Sequence, residues 1–280
     1  MSIWQIYIWT IIGGTLAASA LSLVGAQLAA RNQSVQALVV SQGAGLGVIL
    51  ALALKSGNSE PHSHIADFLP LILGSVGSFA AFILCEGIVQ RRWPSRNTYF
   101  IALFSLLMAI SYALVAMIPT LETHMAASYF GDLTLATEHE QILISFIALA
   151  ALVFLLKKWR QISSWSFDQM TFGSFVATRS EMQAQLGFVA TSMILISASV
   201  HFLGLLFTLT ALFIPSVLLV RSQHHMKGLA LKLLISSATG ALAGISFSLI
   251  EGHIPTVPAI AITLVVCSLL VSRFPVQFLK

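Results

Sequence analysis

Charge is what this chain has least of. Only 9% of its 280 residues are Asp, Glu, Lys or Arg, while 57% are hydrophobic. A soluble domain carries roughly 25% charged residues, so a water-soluble globule is excluded and an integral membrane protein is implied. The apolar runs lack strand-type alternation, which excludes a transmembrane β-barrel. Cysteine is also scarce. Cys85 and Cys267 both sit inside apolar runs, so neither a disulfide framework nor a zinc site is expected. There is no GxxxxGK[ST] loop, no HExxH, no GxSxG and no CxxC. The chain therefore cannot hydrolyse a nucleotide by itself, and no enzyme chemistry is expected. The net charge of +4 comes from short basic loops and does not form a nucleic-acid surface.

Long apolar runs are what the chain has instead. Several reach roughly 20 residues, the length a helix needs to cross about 30 Å of hydrocarbon. Nine spans are predicted, at about 4–29, 35–54, 67–89, 98–118, 141–156, 184–201, 203–220, 228–250 and 256–275. The fold class is therefore all-α, a polytopic helical bundle forming a single transmembrane domain over residues 1–280. The first run has no basic residue ahead of it and exceeds signal-peptide length, so it reads as a retained helix. The division of 184–220 into two passes, with His201 and Gly204 as the break, rests on the cations. With nine passes and the N-terminus outside, thirteen of the fourteen Lys and Arg fall on one side. Only Lys55 falls on the other. By the positive-inside rule that side is cytoplasmic.

The outer loops gather Glu60, His62, His64, Asp67, Glu122, His124, Asp132, Glu138, His139, Glu140, Glu251 and His253. Carboxylate with imidazole is the donor set of divalent transition metals. His62, His64, His139 and His253 are the metal candidates, and plain solvation of polar loops is the alternative. Segment 119–140 is long, weakly apolar and free of cations. It either dips into the membrane under cover of other helices or lies across the outer face. Gly240 and Gly244 form a GxxxG, and Gly43, Gly45 and Gly47 crowd span two. Both patterns suit close helix packing.

Few ionisable groups enter the spans. Glu86, near the cytoplasmic end of span three, either caps or snorkels. His201 is a functional candidate by its depth, or a break-point histidine bonded to a freed carbonyl. Ser41 and Gln42 lie in span two. Gln42 either lines a pathway or bonds a neighbouring helix.

The longest polar stretch runs from Lys157 to Gln183 and carries Lys157, Lys158, Arg160 and Arg179. It reads as a cytoplasmic loop, or as a docking surface for a soluble partner. In the second case a short amphipathic surface helix is expected over Phe167 to Thr178.

Four stretches, in order, are similar to the membrane subunits of ABC importers for zinc, manganese and iron. They are LVGAQLAARNQSVQALVVSQGAGLGVIL at 23–50, FGDLTLAT at 130–137, Phe167-Asp168 followed by HFLGLLFTLTALFIPSVLLVR at 201–221, and AGISFSLIEGHIPTVPAIAI at 243–262. The resemblance implies a permease that moves a divalent transition metal by alternating access. It also implies a second permease copy, a cytoplasmic ATPase that consumes the ATP, and an extracytoplasmic substrate-binding protein. The chain itself would bind no cofactor and would sit in a bacterial-type inner membrane. Residues 167–178 correspond to the family's coupling helix. Phe167, Met170, Phe172 and Phe175 would supply its buried contact, and Asp168 its N-terminal cap. Ser41, Gln42 and His201 would face the pathway. Two departures stand out. The family's second helix has Asp and then His four residues on, where this chain has Leu38 and Gln42, and the glycine of the family's Pro-Thr-Gly-Pro turn is Val257. An ion-coupled secondary transporter and a non-transporting scaffold are the other classes weighed. A secondary transporter calls for ionisable groups at the midplane or an inverted repeat.

Overall fold

The structure is a computed structural model. It describes residues 7–57, 64–90, 96–118, 121–122, 129, 131, 137–172, 179–220, 226–251 and 254–273. Side chains at 56–57, 64–67, 89–90, 167–172 and 251 are not among those described.

The described residues form nine helices and no strand: α1 (Ile8–Ala30), α2 (Ser34–Gly57), α3 (His64–Gln90), α4 (Arg96–Met117), α5 (Glu138–Phe172), α6 (Arg179–Leu203), α7 (Leu205–Val220), α8 (Met226–Glu251) and α9 (Thr256–Arg273). Eight are long and apolar enough to cross a membrane, and α7 is the shorter one. Each predicted span coincides with one helix. The break in 184–220 falls at Gly204, whose φ of +90° only glycine adopts without strain.

Helix α1 is the centre of the bundle. It is apolar on all sides, as a fully surrounded helix must be, and its residues from Ala17 to Gln27 are buried. It packs against α5, α6, α7 and α8, while α2 packs against α3, α4, α6 and α7. Consecutive helices α1 and α2 touch little. The joint between them is a Schellman turn. Gln33 N–H donates to Leu28 O at 2.8 Å, Asn32 N–H donates to Ala29 O at 3.1 Å, and Asn32 takes the left-handed conformation at φ 54°.

Small residues set the close crossings. A Cβ at Gly43 or Gly77 would strike the other's backbone, so α2 and α3 meet there with no side chain between them. Gly240 and Gly244 pack on Leu264 and Ile260 of α9, and Thr263 Oγ1 donates to Gly240 O at 2.7 Å. The GxxxG thus serves packing, as expected. Hydrogen bonds between membrane helices average about 0.6 kcal/mol each. These van der Waals contacts therefore hold the pairs, and the hydrogen bonds fix their register.

Two expectations change. The stretch from Lys157 is not a loop, because α5 runs unbroken through it to Phe172. The buried positions of α5 include Ile144, Ala148, Ala151, Leu155, Trp159, Ile162 and Ser166, a stripe at helical spacing that continues past the cations. Lys157 and Arg160 lie on the exposed side of the same helix. The interval 167–178 is correspondingly not one separate surface helix. Its first six residues end α5, and 173–178 lie outside the described residues. Lys232 lies in the second turn of α8 and is buried.

Candidate functional site

Two polar groups join distant segments inside the bundle, one around Gln42 and one around Arg31. Gln42 is fully buried on α2. Its Nε2 donates to Tyr129 Oη at 2.5 Å and approaches Ser111 Oγ of α4 at 3.4 Å. Its Oε1 has no partner among the described residues. Gln42 thus bonds its neighbours, one of the two roles the sequence left open. Ser41 Oγ donates to Ala37 O of its own helix at 2.9 Å and is fully buried.

Tyr129 belongs to the 119–140 connection. Its side chain packs beside Ile49, Val115 and Leu121, and Leu121 is buried. Two residues on, Gly131 (φ +69°) abuts the Leu203 carbonyl and Gly204 at the α6–α7 break, where a Cβ would collide with both. The connection therefore dips into the bundle at Leu121, Tyr129 and Gly131. Irregular backbone is tolerated at such depth only when protein covers it. Sequence reading flagged the segment but not Tyr129. Its one signal was a tyrosine in a weakly apolar stretch.

His201 lies half-buried one turn before that break, with its ring 4.5 Å from the Phe202 ring. It shares no hydrogen bond with Gln42 or Ser41 among the described residues. Nearby, a cavity of about 10 Å³ is lined by residues that include Thr10, Gln141 and Phe202. That is about the room one water needs. Helix α5 starts beside it with one half of a capping box. The Glu140 carboxylate accepts from Thr137 N–H at 2.8 Å and Thr137 Oγ1 at 3.0 Å. Glu140 thus has a structural role.

The second group ties three helices together at the opposite end of the bundle. Arg31, the C-cap of α1, is only 7% exposed. Its Nε donates to Ser166 Oγ at 2.8 Å, and Nη1 to Gln185 Oε1 at 2.7 Å. Nη2 reaches Ile162 O at 3.5 Å, and the guanidinium stacks 4.5 Å over the Phe188 ring. One turn earlier, Gln27 Nε2 donates to Ser163 Oγ at 2.9 Å, and Gln27 Oε1 accepts from Ser166 Oγ at 2.9 Å. Burial lowers the Arg31 pKa to about 10, so it stays protonated at neutral pH. Sequence reading treated Arg31 only as a loop cation. Its partners lie 131 to 154 residues away, beyond any local signal.

Of the metal candidates, His139 is exposed at the second position of α5, and His64 opens α3. The His64 side chain and residues His62, His124 and His253 lie outside the described residues. Among those described, no three His, Cys, Asp or Glu side chains gather. Glu86 accepts from Gln36 Nε2 at 3.2 Å, which explains its place on α3. Phe167, Asp168, Met170 and Phe172 continue the backbone of α5, so Asp168 lies inside a helix and not at the start of one. Phe175 lies outside the described residues.

Residues 4–274 match the family model described as the ABC 3 transport family. The fold is similar to that of PsaBC from Streptococcus pneumoniae in complex with Fab. The TM-score is 0.75 at 14% identity, over 98% of this chain and 93% of that one. It is also similar to a putative metal-chelate type ABC transporter in an inward-facing conformation. There the TM-score is 0.69 at 15% identity, over 94% and 85% of the two chains. No curated protein matches the chain in sequence.

Proposed function

The chain belongs to the ABC 3 transport family, and from that premise we propose that it is the membrane permease of a metal-type importer driven by ATP. The observation that carries the reading is the family match, which runs from before α1 to past α9. The family is one of transporters, so the chain supplies a path and no bond chemistry. In this reading two copies form the pathway in a bacterial-type inner membrane. A separate cytoplasmic ATPase docks on Phe167, Asp168, Met170, Phe172 and Phe175. An extracytoplasmic binding protein delivers the substrate to the face bearing His62, His64, His139 and His253. ATPase closure drives alternating access as a rigid-body switch. The chain holds no cofactor of its own.

The substrate class is a divalent transition metal: zinc, manganese or iron. Similarity to a putative metal-chelate type ABC transporter supports metal over other cargo. Around Gln42 the donors are neutral. Gln42, Ser111 and Tyr129 offer amide and hydroxyl oxygens, and Leu38 offers none. Oxygen donors of this kind hold zinc or manganese far more weakly than imidazole with carboxylate. The ion would then pass this level without a deep well to leave.

Co-purification with the ATPase, followed by Zn²⁺ and Mn²⁺ uptake into vesicles, tests the reading. Retention of an ATPase and ATP-dependent uptake of either ion are expected. A purified chain that binds no ATPase and moves ions along a gradient alone would overturn it in favour of a secondary transporter.

A further inference from the structure

Among the described residues, Arg31 is a buried charge with no carboxylate partner. Its contacts are a serine hydroxyl, a glutamine amide, a backbone carbonyl and an aromatic face. For packing alone, an apolar side chain of similar size would serve at lower desolvation cost. A guanidinium adds a planar fork whose donors point in fixed directions. Here the fork grips both flanks of one interval. Ser166 and Ile162 belong to α5 just before residue 167, and Gln185 and Phe188 belong to α6 just after its start at Arg179. Gln27 doubles the grip on α5 through Ser163 and Ser166.

On its other side Arg31 leads straight into the Schellman turn. That turn leaves no slack before α2 begins at Ser34. Arg96 at the start of α4 donates to Asn32 O at 3.0 Å, fixing the turn from a third direction. Eight residues into α2 stands Gln42, bonded to Tyr129. The path from the 167–178 interval to Gln42 therefore contains rigid helices, one tight turn and one buried fork.

We propose that Arg31 is a positioning residue of the transport cycle: it clamps the ends of α5 and α6 to the α1–α2 joint, so that displacement of the interval they flank reaches Gln42. The inference rests on the reading that this interval docks an ATPase. In that reading Arg31, buried among side chains of α5 and α6, meets neither nucleotide nor substrate, so its removal is expected to leave ATP hydrolysis intact and to disconnect it from the pathway.

The test uses the full permease–ATPase complex with Cys85 and Cys267 replaced by Ala, and Ser111→Cys as a probe beside Gln42. Maleimide labelling of the probe is timed without nucleotide and after trapping with ATP and vanadate. With Arg31 present, the labelling rate is expected to change at least fivefold between the two states. In Arg31→Lys, which keeps the charge but loses the fork, and in Gln185→Ala, the change should shrink to less than twofold. ATPase retention and hydrolysis should stay within twofold of the parent. An undiminished labelling change in both variants would overturn the inference. So would hydrolysis and labelling falling together with folded yield, since that marks a purely structural residue. Gln185→Ala removes one acceptor and leaves the cation, so it remains readable even if Arg31 variants misfold. If the parent complex retains no ATPase, the functional reading itself falls, and the clamp's role falls with it.

Discussion

Gln42 and Tyr129, 87 residues apart in the chain, share a short hydrogen bond inside the bundle, the Gln42 amide donating to the tyrosine oxygen. It joins a transmembrane helix to a connection that approaches from the outer side. Tyr129→Phe would leave the buried amide with Ser111 alone, at 3.4 Å. A buried donor stripped of its partner costs about 1 kcal/mol or more. Tyr129→Phe should therefore lower the unfolding midpoint in detergent. Adding Gln42→Leu should recover part of the loss, because both polar partners are then gone. Strict additivity of the two changes in a double-mutant cycle would show that the bond contributes nothing.

Leu38 and Gln42 stand four residues apart on one face of α2. Leu38→Asp combined with Gln42→His should convert a neutral site into a carboxylate–imidazole pair. The purified double variant is expected to retain Zn²⁺ or Mn²⁺ through desalting where the parent does not, as read by elemental analysis. A parent that already holds stoichiometric metal on α2 would contradict the neutral-donor reading.

The nine-pass reading puts thirteen of the fourteen cations on one side, and the expected orientation follows from it. A membrane-impermeant maleimide should label Ser59→Cys on intact cells and spare Ser95→Cys until the membrane is opened. Reversed labelling would invert the topology.

The end of α5 provides the fourth test. Truncating a buried aromatic at an interface centre costs about 2 kcal/mol or more. Phe172→Ala with Phe175→Ala should therefore abolish ATPase co-purification and uptake together. The bundle should survive, because α5 is anchored upstream by Trp159, Ile162 and Ser166, all buried. A double variant that keeps both its ATPase and its uptake would remove this segment from the docking surface.

The spans were legible because hydrocarbon length and charge sidedness act on whole segments. Even the Gly204 break could be placed, since a single pass there would have put Arg221 and Lys227 outside. What failed was reading the stretch after Lys157 by its average polarity. The stripe of Leu155, Trp159, Ile162 and Ser166 was present in the sequence, and periodicity, not composition, decides whether a helix continues. The Arg31 group could not be read, because its specificity lies in where three distant segments converge. Of the outer histidines, His64 and His139 fall in the first turns of α3 and α5, and only His139 has a described side chain.

The length of α5 has a mechanical consequence. At about 1.5 Å per residue its 35 residues make a rod of about 52 Å. One end is held where Ser163 and Ser166 meet Gln27 and Arg31. The other is held where Gln141, Ile144 and Ser145 close on Gly13. A rod held to α1 at both ends moves with α1 as one body and does not pivot. In the proposed cycle a sideways shift at Phe172 would therefore carry His139 with it by a similar amount. Spin-label distances would read this as similar excursions at His139 and Lys157 when the ATPase of that reading closes. A much larger excursion at His139 would mean that the rod pivots about its Ser163–Ser166 end instead.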